Sequence, residues 1–328
     1  MSLKQQILTY SRQETMQPLS AWFDSKLEQL IDQGVYPDLN TLEDTGQKLV
    51  QGLVDYKKKY NIQNVALGMS GGVDSALTAA LFKTAGWTVT GVTMPIHQNP
   101  EETARGIEAC QTLGIKHVHI DLTKPYDDLV KSIQVWDPEI NQSGHIIRRA
   151  NLRVRLRMMT VYNVASSLRG LVGSTDNFSE LAAGFWTLHG DVGDVAPIQS
   201  LTKSWEVPKL AELYGVPKST VFAKPTDGLG ISDGDEAQFG FSYLEFDIVL
   251  MLLCANPELV DREEVIEYLQ PGADLDRVVK ILDRIKNSTF KRSNPYNLDH
   301  PQDTKQETNR YNGLRNLDTA LWKIYNSK

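Results

Sequence analysis

Gly68-Met69-Ser70-Gly71-Gly72-Val73-Asp74-Ser75 is the stretch that decides how this 328-residue chain folds. It follows a short apolar run, Asn64 to Met69, with the make-up of a buried strand, and leads into Ser75 to Lys83, which reads as a helix. Two adjacent glycines let the backbone approach a ligand and turn its N–H groups inward. Ser70 and Ser75 add hydroxyl donors, and the following helix presents its positive end. Strand, glycine turn and helix in that order make a phosphate-binding loop. No lysine follows the glycines, so GxxxxGK[ST] is absent, and GxGxxG is absent too; kinase, GTPase and dehydrogenase readings lose their main support. A carboxylate inside an anion-binding loop repels phosphate unless a divalent cation lies between them, so Asp74 predicts Mg2+.

Working outward, strands and helices alternate. Thr88 to Ile96 reads as a strand, Glu101 to Leu113 as a helix and Lys116 to Leu122 as a strand. A helix near Tyr126 to Ile133, a long helix from Ile146 to Leu168 and a strand from Gly170 to Thr175 follow. Repeated βαβα predicts an α/β fold, a doubly wound parallel sheet with helices on both faces, binding ligands at the carboxyl ends of its strands. Before it, Leu19, Trp22, Phe23, Leu27, Leu30 and Ile31 space an amphipathic helix, and Leu42 to Tyr60 a second, whose Lys57-Lys58-Lys59 reads as solvated charge at a helix C-terminus. The expected organisation is a helical N-terminal extension over 1–60, the main domain over 61–295 and a C-terminal tail over 296–328, with a polar, mobile loop over Asn294 to Asn312.

Composition narrows the function. A net charge of −7 and a pI near 5.5 disfavour a nucleic-acid binder. No run of about eighteen apolar residues is present, which predicts a soluble cytoplasmic protein with no membrane partner; Phe246 to Ala255, broken by Asp247, reads as a buried core helix. Cys110 and Cys254, distant and outside any CxxC, read as small buried hydrophobes.

The loop sequence SGGVDS resembles that of the ATP pyrophosphatase group, which cleaves ATP between the α and β phosphates and holds the leaving pyrophosphate in the loop. The resemblance implies an adenine nucleotide alpha-hydrolase-like fold, with Gly68, Met69, Ser70, Gly71, Gly72, Val73, Asp74 and Ser75 at ATP.

Further motifs point within that group. In Asn151-Leu152-Arg153-Val154-Arg155-Leu156-Arg157-Met158, helical spacing sets Arg149, Arg153 and Arg157 in one stripe, which reads as a solvated face. Arg155 falls on the flank of the apolar face of Leu152, Leu156 and Met159, where a buried-edge anion contact is expected. The segment is similar to the NxxARxRM signature of NAD synthetases, which implies that Arg155 contacts deamido-NAD. Gly173 to Glu180, read as a loop at a strand end, resembles that family's GTxxxxSE motif and implies Thr175 at ATP and Glu180 as the second Mg2+ ligand beside Asp74.

Gly184 to Pro197 resembles GxxTxxGDxxxDxxP, implying Asp191 as the group that orients or deprotonates ammonia and Asp194 as a deamido-NAD contact. Leu201-Thr202-Lys203, read as the opening of a helix running to Leu213, resembles LxK, with Lys203 on an ATP phosphate and in the catalytic set. Lys224-Pro225-Thr226-Asp227 with Asp235-Glu236, Gly240 and Tyr243 is similar to the family's second flexible loop, implying Thr226 at ATP. Glycines 228, 230 and 234 fit a lid that excludes water from a hydrolysable acyl-adenylate. Phe290-Lys291-Arg292 resembles HKRxxP, with Lys291 at deamido-NAD.

Three positions depart from the pattern: Val154 replaces the small residue of the NxxARxRM motif, Phe290 stands where many members have His, and Leu188 where many have Lys. The family implies ATP, deamido-NAD and ammonia as substrates, Mg2+ as cofactor and a homodimer. A glutamine-using member needs an added amidase domain of about 250 residues, so free ammonia is the expected nitrogen donor. The alternatives are another ATP pyrophosphatase, such as a GMP-synthetase-like enzyme, and a non-catalytic adenine-nucleotide sensor.

Overall fold

The computed structural model describes residues 1–13, 17–224, 234–256, 258–259 and 262–292. Met1–Thr289 is one compact unit; Phe290–Lys328 is another, of which only Phe290–Arg292 is described. The chain opens with three helices, α1 (Leu3–Tyr10), α2 (Ala21–Asp32) and α3 (Leu39–Tyr60). The first of these carries no signal read from the sequence, yet Ser2 and Gln5 close a capping box at its start.

Four parallel strands follow, β1 (Asn64–Gly68), β2 (Thr88–Thr93), β3 (Lys116–His119) and β4 (Leu171–Val172), in the order β3-β2-β1-β4. Val65 lies opposite Val89 on one side and Leu171 on the other, and Val92 opposite Val118. Crossovers between consecutive strands are α4 (Val73–Thr84), α5 (Pro100–Leu113), and the pair α6 (Thr123–Gln134) and α7 (Ile146–Ser167). Period-two alternation divides β1 between two cores. Val65 and Leu67 pack with Leu77 and Phe82 of α4, while Ala66 faces Tyr126 of α6 and Leu156 of α7. Helices therefore cover both faces, as the doubly wound reading requires.

The strands are shorter than the sequence suggests. Main-chain hydrogen bonds continue past β2 and β3, from Ile120 N to Thr93 O and from Leu122 N to Pro95 O, as single contacts beyond the ladder. β4 keeps two residues because the chain beyond it turns back on itself: Ser174 N donates to Val195 O at 2.8 Å, and Gly173 bridges Val195 in parallel.

After β4 the chain is helical: α8 (Phe178–Ala183), α9 (Glu206–Leu213), α10 (Lys218–Val221), α11 (Asp235–Phe239), α12 (Tyr243–Cys254), α13 (Arg262–Leu269) and α14 (Leu275–Asn287). Helix α12 is buried nearly throughout, as expected, but Cys254 at its end is exposed, whereas Cys110 is fully buried. No helix among the described residues is long and apolar enough to cross a membrane.

The strand order places the site. Winding reverses at β1, since β2 and β3 lie to one side of it and β4 to the other. The crevice beyond the carboxyl ends of β1 and β4 is the switch point at which such sheets bind ligands. Loop 68–75 leaves β1 there, and the segment from Gly173 to Glu180 leaves β4 there.

Candidate active site

The loop after β1 is held by its own polar groups. Gly72 N donates to Ser70 Oγ at 3.2 Å, Ser75 Oγ donates to Gly72 O at 3.0 Å, and the two serine hydroxyls are 3.2 Å apart. Gly71 has φ +88°, and a Cβ there would lie 2.0 Å from Glu102 O on α5. Only glycine fits both the left-handed backbone and that approach. Two side chains that the sequence reading passed over brace the loop: Arg105 Nε donates to Gly71 O at 3.3 Å, and Gln98 Nε2 to Ser70 O at 3.3 Å. Gln98 is held in turn by Arg157 Nη2 at 3.1 Å.

Across the switch point, Glu180 is in the first turn of α8 rather than in a loop. Asn177 caps that helix, accepting from Glu180 N at 2.9 Å, while Glu180 Oε2 accepts from Asn177 N at 3.3 Å. Such a reciprocal cap satisfies two N–H groups that a helix start leaves open. The same Asn177 donates through Nδ2 to Asp74 Oδ1 at 2.8 Å, which joins the two loops.

Lys203 closes the constellation. It sits in a turn before α9, not inside the expected helix, because the Glu206 carboxylate ties Thr202 back through its N at 2.7 Å and its Oγ1 at 2.8 Å. Lys203 Nζ bonds the Asp74 carboxylate and reaches Glu180 Oε1 at 3.2 Å, with 8% of the lysine side chain exposed. Its ammonium also lies 5.6 Å from the ring centroid of Tyr243, whose hydroxyl donates to Asp235 Oδ2 at 3.3 Å. The Glu180 carboxyl stands well above its ordinary value: burial pushes it up, Lys203 pulls it down, and Asp74 and Asp235 push it further up. Burial by itself lowers Lys203, but Asp74 and Glu180 outweigh it and hold the ammonium above its ordinary value. The Tyr243 phenol is driven well up by burial and by those same carboxylates.

Asp74, Glu180 and Asp235 crowd the Lys203 ammonium at the mouth of the phosphate loop, and that crowding helps hold Glu180 toward its protonated form. Asp74 and Glu180 are hard oxygen donors bridged by a single cation. No set of three or more His, Cys, Asp or Glu forms a metal cage among the described residues. A carboxylate pair of this kind fits Mg2+, which takes one or two protein carboxylates and fills its octahedron with phosphate oxygens and water.

Asp247 fixes this geometry from behind. It is fully buried on α12, accepts from Ser179 Oγ, and accepts from Ser204 N at 2.9 Å. Ser179 Oγ in turn accepts from Lys203 N at 2.9 Å. One carboxylate thus holds the residue before Glu180 and the residue after Lys203, and burial raises it to about 6. Part of the signal was available, an aspartate within a largely apolar helix, but its partners were not.

The remaining sequence candidates form a separate group. The Asp191 carboxylate accepts from Thr187 N at 3.0 and 3.2 Å, closing the turn of residues 187–191, and Thr187 Oγ1 donates to Asn151 Oδ1 at 2.7 Å. Asp194 accepts from Val172 N and Tyr162 Oη, each at 2.8 Å, at the edge of β4. Arg155 is exposed, not on a buried edge, and its Nε donates to Leu188 O at 3.1 Å. Met159 is 65% exposed rather than on the apolar face.

The stripe of Arg149, Arg153 and Arg157 is not a solvated face. Arg157 reaches the end of β2, donates through Nε to Met94 O at 2.9 Å, and burial lowers its guanidinium to about 10. Arg153 stacks over Tyr126 at 5.2 Å and Arg149 donates to Ile140 O at 2.6 Å. Thr175 is half-buried beside the fully buried Ser174. Thr226 and the lid glycines 228 and 230 lie outside the described residues, as does the 294–312 loop; Lys291 belongs to the second unit.

A parallel sheet with an SGGVDS loop at its switch point, faced by a paired aspartate, glutamate and lysine, defines a nucleotide-binding protein of the ATP pyrophosphatase group. Sequence comparison makes this specific. The profile of the NAD synthase family matches residues 45–295, and the chain belongs to that family. The NH(3)-dependent NAD(+) synthetase of Alkaliphilus oremlandii is 32% identical over 76% of this chain and 94% of its own. That of Methanocaldococcus jannaschii is 31% identical over 78% and 96%. Among solved structures, the NMN synthetase of Francisella tularensis superposes with a TM-score of 0.65 at 26% identity, covering 79% of this chain and 99% of that one. The NH3-dependent NAD synthetase of Campylobacter jejuni gives 0.60 at 25%, with the same coverage.

Proposed function

We propose that the chain is an ammonia-dependent NAD synthetase, a ligase that joins ammonia to the nicotinate carboxylate of deamido-NAD with conversion of ATP to AMP and pyrophosphate. The observation that carries this reading is the Asp74–Lys203–Glu180 cluster at the switch point, at the mouth of the loop.

In the first step the nicotinate carboxylate attacks the α-phosphorus of ATP, a P–O bond to the nicotinate forms, and pyrophosphate leaves with the electron pair. Backbone N–H groups of loop 68–75 and the Ser70 and Ser75 hydroxyls would hold the departing phosphates. Lys203 moves its charge from the carboxylates to a phosphate oxygen. Asp74 and Glu180 would hold Mg2+, which supplies neutralisation of phosphate charge. Thr175 lines ATP. In the second step the ammonia nitrogen bonds the acyl carbon and AMP leaves; Asp191 orients the ammonia and receives its proton. Arg155 and Asp194 contact deamido-NAD. A homodimer is part of this reading: Val135, Trp136, Ile147 and Met159 leave large apolar side chains exposed along the crossover from β3 to β4.

The Francisella relative is named for NMN, and Leu188 and Phe290 depart from the pattern for the dinucleotide, so the mononucleotide carboxylate is the competing acceptor. Assaying amide formation with ATP, Mg2+ and ammonium, offering deamido-NAD or nicotinic acid mononucleotide, separates the two. Deamido-NAD is expected to give the higher kcat/KM; a preference for the mononucleotide reassigns the acceptor, and amidation of neither refutes the synthetase reading.

A further inference from the structure

The family match begins at residue 45, which leaves α1 and α2 outside it. Yet α1 is built into the site's support. Ile7 is fully buried, and the Tyr10 ring meets Trp205 edge-on at 5.6 Å and Phe222 at 5.4 Å. Lys209 Nζ donates to Tyr10 Oη at 3.0 Å, and Tyr10 Oη donates to Glu212. These partners belong to the segment that follows Lys203, so the N-terminal helix is clamped onto the back of the Lys203 turn.

The clamp delivers Arg12. Its backbone is left-handed, with φ +59°, an uncommon and costly conformation for a residue that is not glycine, asparagine or aspartate. The half-buried guanidinium donates through Nη1 to Ala223 O, three residues before Thr226. Burial lowers the guanidinium below its ordinary value, and the charges of Glu236, Asp74 and Asp235 work against that lowering. A left-handed backbone, an aromatic clamp and a guanidinium bonded to Ala223 O within electrostatic range of Asp74 and Asp235 converge on one residue.

We infer that Arg12 is a positioning residue for the ATP half-reaction, a second cation that with Lys203 opposes the charge of Asp74 and Asp235 and makes the site receptive to a triphosphate. The inference rests on the reading of this site as an ATP site. Arg12 acts through charge and through its hold on Ala223, and those two roles can be separated.

The test compares the full-length chain with Arg12→Gln, which retains a donor for Ala223 O but no charge, and with Arg12→Lys, which retains the charge. Equilibrium binding of α,β-methylene-ATP with Mg2+ is measured by calorimetry, alongside the KM for ATP, kcat and thermal melting. Arg12→Gln is expected to weaken analogue binding and raise the ATP KM on the order of fivefold, the scale of one partly screened charge, with kcat and melting temperature close to the parent. Arg12→Lys recovers most of the binding. Analogue affinity unchanged in Arg12→Gln overturns the inference, as does a drop in melting temperature with no change in affinity. Failure of the parent itself to bind the analogue sinks the ATP-site reading and the inference with it.

Discussion

Replacing Asp247 by alanine removes the acceptor of Ser204 N and Ser179 Oγ in a place with no solvent access. A buried donor left without a partner costs about 1–3 kcal/mol, so two donors and the lost volume cost about 3–5 kcal/mol. Against this stands the cost of holding a carboxylate there. Its folded value of about 6 lies above the ordinary 3.8, so the fold favours the protonated form. The native state is least burdened below the unfolded value and loses stability as pH rises through 6. The burden reaches about 3 kcal/mol by pH 8 and is about half that at pH 5, at 1.36 kcal/mol per pKa unit. Alanine removes it, so Asp247→Ala should be more damaging in acid, by about 1.4 kcal/mol at pH 5 relative to pH 8. Urea unfolding of parent and variant at both pH values measures this. An equal loss at the two values, or a loss under about 0.5 kcal/mol at pH 5, refutes the argument. Because Ser179 and Ser204 flank Glu180 and Lys203, kcat at pH 8 should also fall about tenfold or more.

The loop and cluster give further expectations. Gly71→Ala must place a Cβ against Glu102 O in a left-handed backbone; the ATP KM should rise strongly, and the melting temperature should fall by several degrees, as about 1–2 kcal/mol of backbone strain would cause. Asp74→Ala and Glu180→Ala should each abolish AMP formation while far-ultraviolet circular dichroism stays native, and normal AMP formation in either removes the metal assignment. Lys203→Met leaves Asp74 and Glu180 without their shared cation and should cost about 3–5 kcal/mol of stability near pH 8, as when one partner of a buried ion pair is removed. Chemical denaturation checks it, and an unchanged midpoint would mean that the pair is hydrated.

The fold was legible because its signals are local and periodic. The strand–loop–helix at 64–84 and the βα alternation after it depend on short-range pattern, and elements from α2 to α7 fall within a few residues of their expected bounds. The phosphate loop and the partners Asp74, Glu180 and Lys203 were readable from motif order. Side-chain direction was not. Arg157 and Arg155 are two residues apart on one helix, yet one is buried against Met94 O and Gln98 while the other lies on the surface. Choosing between them needs the position of β2's end, a long-range contact that helical spacing does not encode. Asp247 and Arg12 escaped for the same reason: their partners are 43 and 211 residues away in sequence.

The central claim is that AMP, not a phosphoryl group, is transferred to the acceptor carboxylate. Exchange of labelled pyrophosphate into ATP, with deamido-NAD and Mg2+ present and ammonium omitted, tests it most directly. Exchange that requires deamido-NAD, and that is replaced by net NAD and AMP once ammonium is added, is the predicted result. ADP and inorganic phosphate in place of AMP and pyrophosphate, or exchange that ignores the acceptor, would contradict the account.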